Sequence, residues 1–389
     1  MKKILIVTNN MNIGGIQKSL LELLKALSKR ADLSVSVFCS SRSGDYLQRI
    51  PEGVSVLPEN LWAKVSELSI GGCKQMGLRY FAFRFFASAW SKLFHKGLPA
   101  ALLCALIGDL GTYDIAISFS QPIHDKAFNT LTNEIVQNCC RAKRKVTFVH
   151  CDFEKYGGNT RRNRRLYTRF DAVAAVSESV GEVMKRCIPA IESRVYTVYN
   201  CCDREEILRL ADTDPVCYRK KTFVTVARLS EEKGLLRCVP IFAKLKKQNL
   251  DFAWHIVGGG TQKAELKAAI GQYGMEKNIF LEGQQTNPYR FLKNADFLLL
   301  PSFHEAAPMV FDEAIVLNVP ILSTNTLSAK ELVADRHAGY VCGEHEEDLY
   351  GMLFAALHAD GQRRKTAPVS EERKMKQFDA ACGIEEYDV

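Results

Sequence analysis

No stretch of about 18 uncharged apolar residues occurs in these 389 residues, so no transmembrane helix is expected. No secretory signal is expected either. Instead of a basic segment followed by an apolar one, the strand-like run Lys3-Ile4-Leu5-Ile6-Val7 arrives at once. Cys-x-x-Cys spacing is absent, which removes the usual zinc frameworks. The 13 cysteines are odd in number and include two adjacent pairs, Cys139-Cys140 and Cys201-Cys202. Neighbouring thiols bond poorly to each other, so reduced, mostly buried cysteines of a cytosolic protein are the expectation. There is no Gly-x-Gly-x-x-Gly after the first strand, which argues against a Rossmann oxidoreductase. No short fixed-period repeat is found, and nothing in the chain sets an oligomeric state.

What is present is ordinary in bulk. Apolar residues make up 47% and charged residues 25%, as in a globular protein too long for one core. Short apolar runs alternate with helical periods, the pattern of parallel sheets covered by helices. Strands are expected at 3–8, 34–38, 54–57, 114–119, 146–150, 172–176 and 195–198, then at 222–227, 252–257, 279–282, 297–300, 320–323 and 339–342. The apolar spacing of Ile16, Leu20, Leu23, Leu24 and Leu27 predicts a helix over 16–28. The polar segment 201–221, with Pro215, reads as an inter-domain connection. Two domains are therefore expected, 1–203 and 204–361. The charged tail 362–389 is helix-prone at 371–381 and is expected to pack on the first domain.

The net charge of +8 is concentrated. Residues 141–169 hold ten Lys and Arg against Asp152 and Glu154, a patch suited to phosphates or an anionic membrane. No nucleic-acid recognition motif accompanies it, so nucleic acid is not expected. Residues 74–107 mix Tyr80, Phe81, Phe83, Phe85, Phe86 and Trp90 with Arg and Lys before an apolar run ending at Ile107. Such a mixture suits either the water–lipid boundary or a pair of core helices whose cations snorkel outward.

Several short motifs carry chemistry. Gly14-Gly15 follows the first strand and opens a helix, where free N–H groups favour anions. Arg228 closes a strand and Lys233 precedes a helix, two cations suited to a diphosphate at a sheet's carboxyl edge. Gly258, Gly259 and Gly260 follow another strand and could let a phosphate or sugar lie against the backbone, or simply make a tight turn. In Pro301-Ser302-Phe303-His304-Glu305-Ala306-Ala307-Pro308-Met309-Val310-Phe311-Asp312-Glu313, Pro308 fits the first turn of a helix. Glu305 then lies just before that helix and Glu313 inside it, while residues 306–310 present N–H groups. Carboxylates suit sugar diols. His150 and Asp152 end a buried strand in the first half, where a histidine could donate to a substrate hydroxyl. Asp212-Thr213-Asp214 has a metal-like spacing, but it follows no strand and precedes Pro215, so no metal is expected.

Together these motifs resemble glycosyltransferase family 4, the retaining family of bacterial polysaccharide and lipid-linked-glycan enzymes with the GT-B fold. In that fold two Rossmann-like doubly wound domains face each other across a cleft. The resemblance is strongest from 222 to 343 and includes Asn318-Val319-Pro320 and Glu331-Leu332-Val333. It implies that Arg228 and Lys233 bind the donor diphosphate, Glu313 the ribose, and Glu305 with Ala306, Ala307, Pro308, Met309 and Val310 the donor sugar. Gly14 and Gly15 would line the opposite wall near the phosphate, with Gly258 and Gly259 at the glycine turn. Gln284 falls near the base, His150 would touch the sugar, and Asp152 falls on the acceptor side. Ala306-Ala307 stands where the family often has glycine and an apolar residue, which leaves the sugar's identity open. The implied activity is transfer of a hexosyl unit from a nucleotide sugar, with no metal or other cofactor, to a glycan or lipid-linked acceptor. The expected place is the cytoplasm, at the inner membrane face through 74–107 and 141–169. The alternative is a nucleotide-sugar-binding subunit without turnover.

Overall fold

The computed structural model describes residues 1–121, 124–359 and 366–384. The chain forms two compact units, one of Met1–Cys201 with the segment from Ser370, the other Cys202–Val369. Residues 361–365 and 385–389, which include the expected boundary and parts of the tail, lie outside the described residues.

The first unit is built on seven parallel strands: β1 (Lys2–Thr8), β2 (Leu33–Cys39), β3 (Ser55–Val56), β4 (Thr112–Ser118), β5 (Arg141–Val149), β6 (Ala172–Ala175) and β7 (Val195–Thr197). Their order is β3-β2-β1-β4-β5-β6-β7. Ile4–Val7 and Ala172–Ala175 are buried throughout, as strands covered on both faces must be. The order reverses beside β1, so the carboxyl ends of β1 and β4 flank the position where open sheets bind ligands. Helix Glu371–Cys382 also belongs to this unit. Arg30 pairs with Asp379 at 2.6 Å and Arg144 Nε donates to the Ala381 carbonyl at 2.9 Å.

The second unit has six parallel strands: β8 (Lys221–Val226), β9 (Phe252–Val257), β10 (Ile279–Gly283), β11 (Phe297–Leu300), β12 (Ile321–Thr324) and β13 (Gly339–Cys342). Their order, β10-β9-β8-β11-β12-β13, puts the switch point between β8 and β11. Phe223, Phe242, Phe252 and Trp254 fill the core beneath it. The two doubly wound parallel sheets read from the sequence are thus present.

Three expectations need correction. The segment 201–221 is not a bare connection, because it holds helix Arg204–Ala211, docked within the second unit through buried Ile207 and Ala211. Asp203 caps that helix by accepting from Glu206 N at 3.0 Å. The insertion forms helices Leu78–Leu93 and Gly97–Ile107, but its cations do not all snorkel outward. Arg84 donates to the Phe128 carbonyl and Lys96 is fully buried, its Nζ 3.4 Å from the Asn129 carbonyl. Burial pushes the pKa of both groups down. The run 101–107 is not plain core either, since Leu102 and Leu106 are exposed.

Candidate functional site

At the switch point of the second unit, β8 runs into Ala227-Arg228 and β11 into Pro301–Pro308. The short turn Glu231–Lys233 ends at Gly234, whose φ of +63° is left-handed. A Cβ there would stand 2.2 Å from the Pro301 carbonyl oxygen, so glycine lets the two loops touch. This contact sets Lys233 beside the following loop. Lys233 Nζ donates to Glu305 Oε1 at 2.6 Å, and the two side chains are only 16% and 9% exposed. Ser302 Oγ donates to the same oxygen at 2.7 Å.

Arg228 differs. Its side chain is 70% exposed and reaches Glu232 Oε1 at 3.3 Å, an ion pair with little hold in solvent. Burial pushes the Glu232 carboxyl up. The Ser230 hydroxyl, its own backbone and the cations Arg228 and Lys233 outweigh this, so its pKa lies below the ordinary value.

Helix Met309–Val316 begins with Pro308 as its cap rather than inside its first turn, in extended conformation. Met309 and Val310 open that turn, where no earlier helical carbonyl is available to their N–H groups. Glu313 is 3% exposed, not a solvated surface residue, and Ala306 is buried.

The glycine turn has a structural explanation in part. Gly258, at φ +152°, has no room for a Cβ, which would stand 1.9 Å from the Ala227 carbonyl oxygen. Gly260 would meet Leu229 O at 2.3 Å. Gly259 has no such clash, and its nearest neighbour is the Gln284 side-chain oxygen, 3.5 Å from a built Cβ. Gly259 and Gln284 therefore adjoin one another at the ends of β9 and β10.

In the first unit, Gly14 caps helix Gly15–Ser28 in extended backbone, and a Cβ on Gly15 would meet nothing within 4 Å. Backbone strain does not demand glycine at either position. His150 stands at the end of β5 against Phe119 and Phe148, with ring centroids 4.7 and 5.9 Å away. Burial depresses its pKa to about 3, against a smaller opposing effect of a hydrogen bond to the Phe119 backbone. The ring is therefore neutral, and Nε2 is buried without a hydrogen-bond partner among the described residues. That buried nitrogen is the ring atom left to meet a ligand, as donor or acceptor according to which nitrogen carries the proton.

Asp152 has a local task. Its Oδ1 accepts from the backbone N–H groups of Glu154 and Lys155, both at 3.0 Å. Asp212 pairs with Lys293 and Asp214 with Arg290, so both acids of the Asp-x-Asp are held by cations. Sequence reasoning passed over Ser302 as a contact of Glu305, although its place three residues earlier was on view.

Residues 217–371 match the family model described as glycosyl transferases group 1. Over 215 residues the chain is 25% identical to the Campylobacter jejuni enzyme N-acetylgalactosamine-N,N'-diacetylbacillosaminyl-diphospho-undecaprenol 4-alpha-N-acetylgalactosaminyltransferase. That match covers 55% of this chain and 58% of the relative. The chain spans smaller shares, 25% and 39%, of two further relatives at 31% and 30% identity. Among solved structures, the lipopolysaccharide outer core galactosyltransferase WaaB in its apo form superposes with a TM-score of 0.64 at 18% identity, covering 97% of this chain and 98% of that one. Anabaena Alr3699/HepE in complex with UDP gives 0.62 at 17%, covering 97% and 94%. The fold is that of the GT-B glycosyltransferases, and the second unit carries the sequence signature of glycosyl transferases group 1.

Proposed function

We propose that this chain is a retaining glycosyltransferase that moves a hexosyl unit from a UDP-sugar to a glycan or lipid-linked acceptor in cell-surface polysaccharide synthesis. The observation that carries the reading is the Lys233–Glu305 pair at the β8/β11 switch point, inside the segment that matches group 1 glycosyltransferases. A largely buried cation and carboxylate side by side suit a ligand whose phosphates and hydroxyls are also side by side. Lys233 and Arg228 neutralise the diphosphate as it leaves, and preorganised charge of this kind lowers the barrier most. Glu313 takes the ribose hydroxyls, Gly259 and Gln284 adjoin the base, and His150 touches the donor sugar. Glu305 binds sugar rather than attacking it, because Oε1 is committed to Lys233 and Ser302. That favours front-face attack guided by the departing phosphate, with no metal.

UDP as the nucleotide is supported by the bound UDP of the Anabaena structure, and a lipid-linked acceptor by the diphospho-undecaprenol in the Campylobacter relative's name. Work at the cytoplasmic membrane face fits the exposed apolar residues of helices Leu78–Leu93 and Gly97–Ile107. A thermal-shift screen against UDP-, GDP- and ADP-sugars tests the donor. A true donor at 100 times its Kd adds about 2.7 kcal/mol of stability. No shift with any nucleotide sugar would remove the reading.

A further inference from the structure

We infer that Ser302 is a positioning residue, holding Glu305 toward the donor sugar while Lys233 turns to the diphosphate. The inference rests on the glycosyltransferase reading above and deepens it. Glu305 Oε1 receives two donors, Lys233 Nζ at 2.6 Å and Ser302 Oγ at 2.7 Å, and Oε2 takes part in neither bond. The two donors differ in kind. Lysine carries its charge on a four-carbon stem, so an arriving diphosphate competes with Glu305 for it. Serine is neutral and short. It has one side-chain torsion to fix and no charge for the phosphates to draw away.

The backbone that carries Ser302 is held on both sides. The Ser302 carbonyl accepts from Thr324 Oγ1 at the end of β12, and Phe303 N donates to the Glu232 carbonyl at 2.8 Å. Pro301, just before, lies against Gly234. Ser302 itself is 1% exposed, so no water replaces its hydroxyl without rearrangement. Once a diphosphate engages Lys233, the Ser302 hydroxyl is the contact that keeps Oε1 in place and leaves Oε2 for a sugar diol.

Calorimetry on the full chain with UDP and with UDP-glucose, UDP-galactose, UDP-N-acetylglucosamine and UDP-N-acetylgalactosamine separates the possibilities. The wild type should bind one UDP-sugar more tightly than UDP, and that ratio measures sugar recognition. Ser302→Ala should leave UDP affinity within about twofold and cut the ratio by about tenfold or more, the scale of one hydrogen bond to a charged group. Ser302→Thr, which keeps the hydroxyl, should restore it. If Ser302→Ala does not fold, Ser302→Cys keeps the volume with a weak donor and should show the same loss. A retained ratio in Ser302→Ala or Ser302→Cys, or an equal loss of UDP affinity, overturns the positioning role alone. A wild type that binds neither UDP nor any UDP-sugar overturns the reading on which it rests.

Discussion

Lys233 and Glu305 were legible as chemistry in the sequence, but not as partners, because 72 residues separate them and only the sheet order brings β8 beside β11. Truncating Lys233 leaves a largely buried carboxylate with Ser302 as its hydrogen-bond donor. Lys233→Ala should therefore cost about 1–3 kcal/mol in urea denaturation while unfolding stays cooperative. The same variant should lower UDP release from the donor at least about 100-fold, the scale of losing one preorganised charge. Near-normal turnover would take away the diphosphate role. His150 makes a different prediction at the same scale. Its folded pKa of about 3 lies below the ordinary histidine value, so its contribution is complete above about pH 6.5. As pH falls from there toward 3, the unfolded chain takes up a proton that the buried ring refuses, and stability declines. His150→Phe has no such proton to refuse. Its melting temperature relative to wild type should rise between pH 7 and pH 4, and an unchanged difference would contradict the neutral buried ring.

Among the described residues the 13 strands lie where their apolar runs fall, and the central ones, covered on both faces, are the most continuously apolar. The failures come where polar residues form elements. β5 starts at Arg141, five residues before its expected start, because Arg141 and Lys143 alternate outward while the ladder to β4 is already made. Helix Arg204–Ala211 was hidden by its charge, although Asp203-Arg204-Glu205-Glu206 is a capping sequence. Asp203→Ala should cost about 1 kcal/mol by denaturation for the lost cap, and no change would mean that packing alone holds this helix. The glycine turn after β9 carries the sharper comparison, because three identical residues in a row have unlike surroundings. Gly258→Ala forces a Cβ onto the Ala227 carbonyl at a left-handed φ and should lose about 2–4 kcal/mol. Gly259→Ala should stay within about 1 kcal/mol of wild type. Equal losses at both would show that the turn, not the backbone contact, requires glycine.

At the scale of the whole chain, counting charge along the sequence misjudged the basic run 141–169. Folding pairs Arg141 with Asp109, Lys143 with Asp114 and Arg162 with Asp125 and Glu134, acids that lie outside the run. Lys155, Arg161 and Arg165 remain exposed. The apolar surface was only half legible, since helical spacing puts both faces of 78–107 in play. The structure buries Tyr80, Ala87 and Leu103 and leaves Phe85, Phe86, Leu93, Leu98, Leu102 and Leu106 exposed. The two features meet at Gly97, where a built Cβ would stand 3.2 Å from Arg162 Nε, beside the first turn of helix Arg161–Tyr167. Exposed large apolar side chains and exposed cations both suit an anionic lipid surface, each cation adding about 1 kcal/mol. Vesicle co-sedimentation at low salt should thus retain the protein on phosphatidylglycerol-containing vesicles. Replacing Lys155, Arg161 and Arg165 by Gln should weaken that binding roughly 100-fold and flatten its salt dependence. Phe85→Ser with Phe86→Ser should weaken it without altering the salt dependence, because those rings contribute area and not charge. Absence of binding by the wild type, or equal binding by all three proteins, would leave the apolar face without a membrane role.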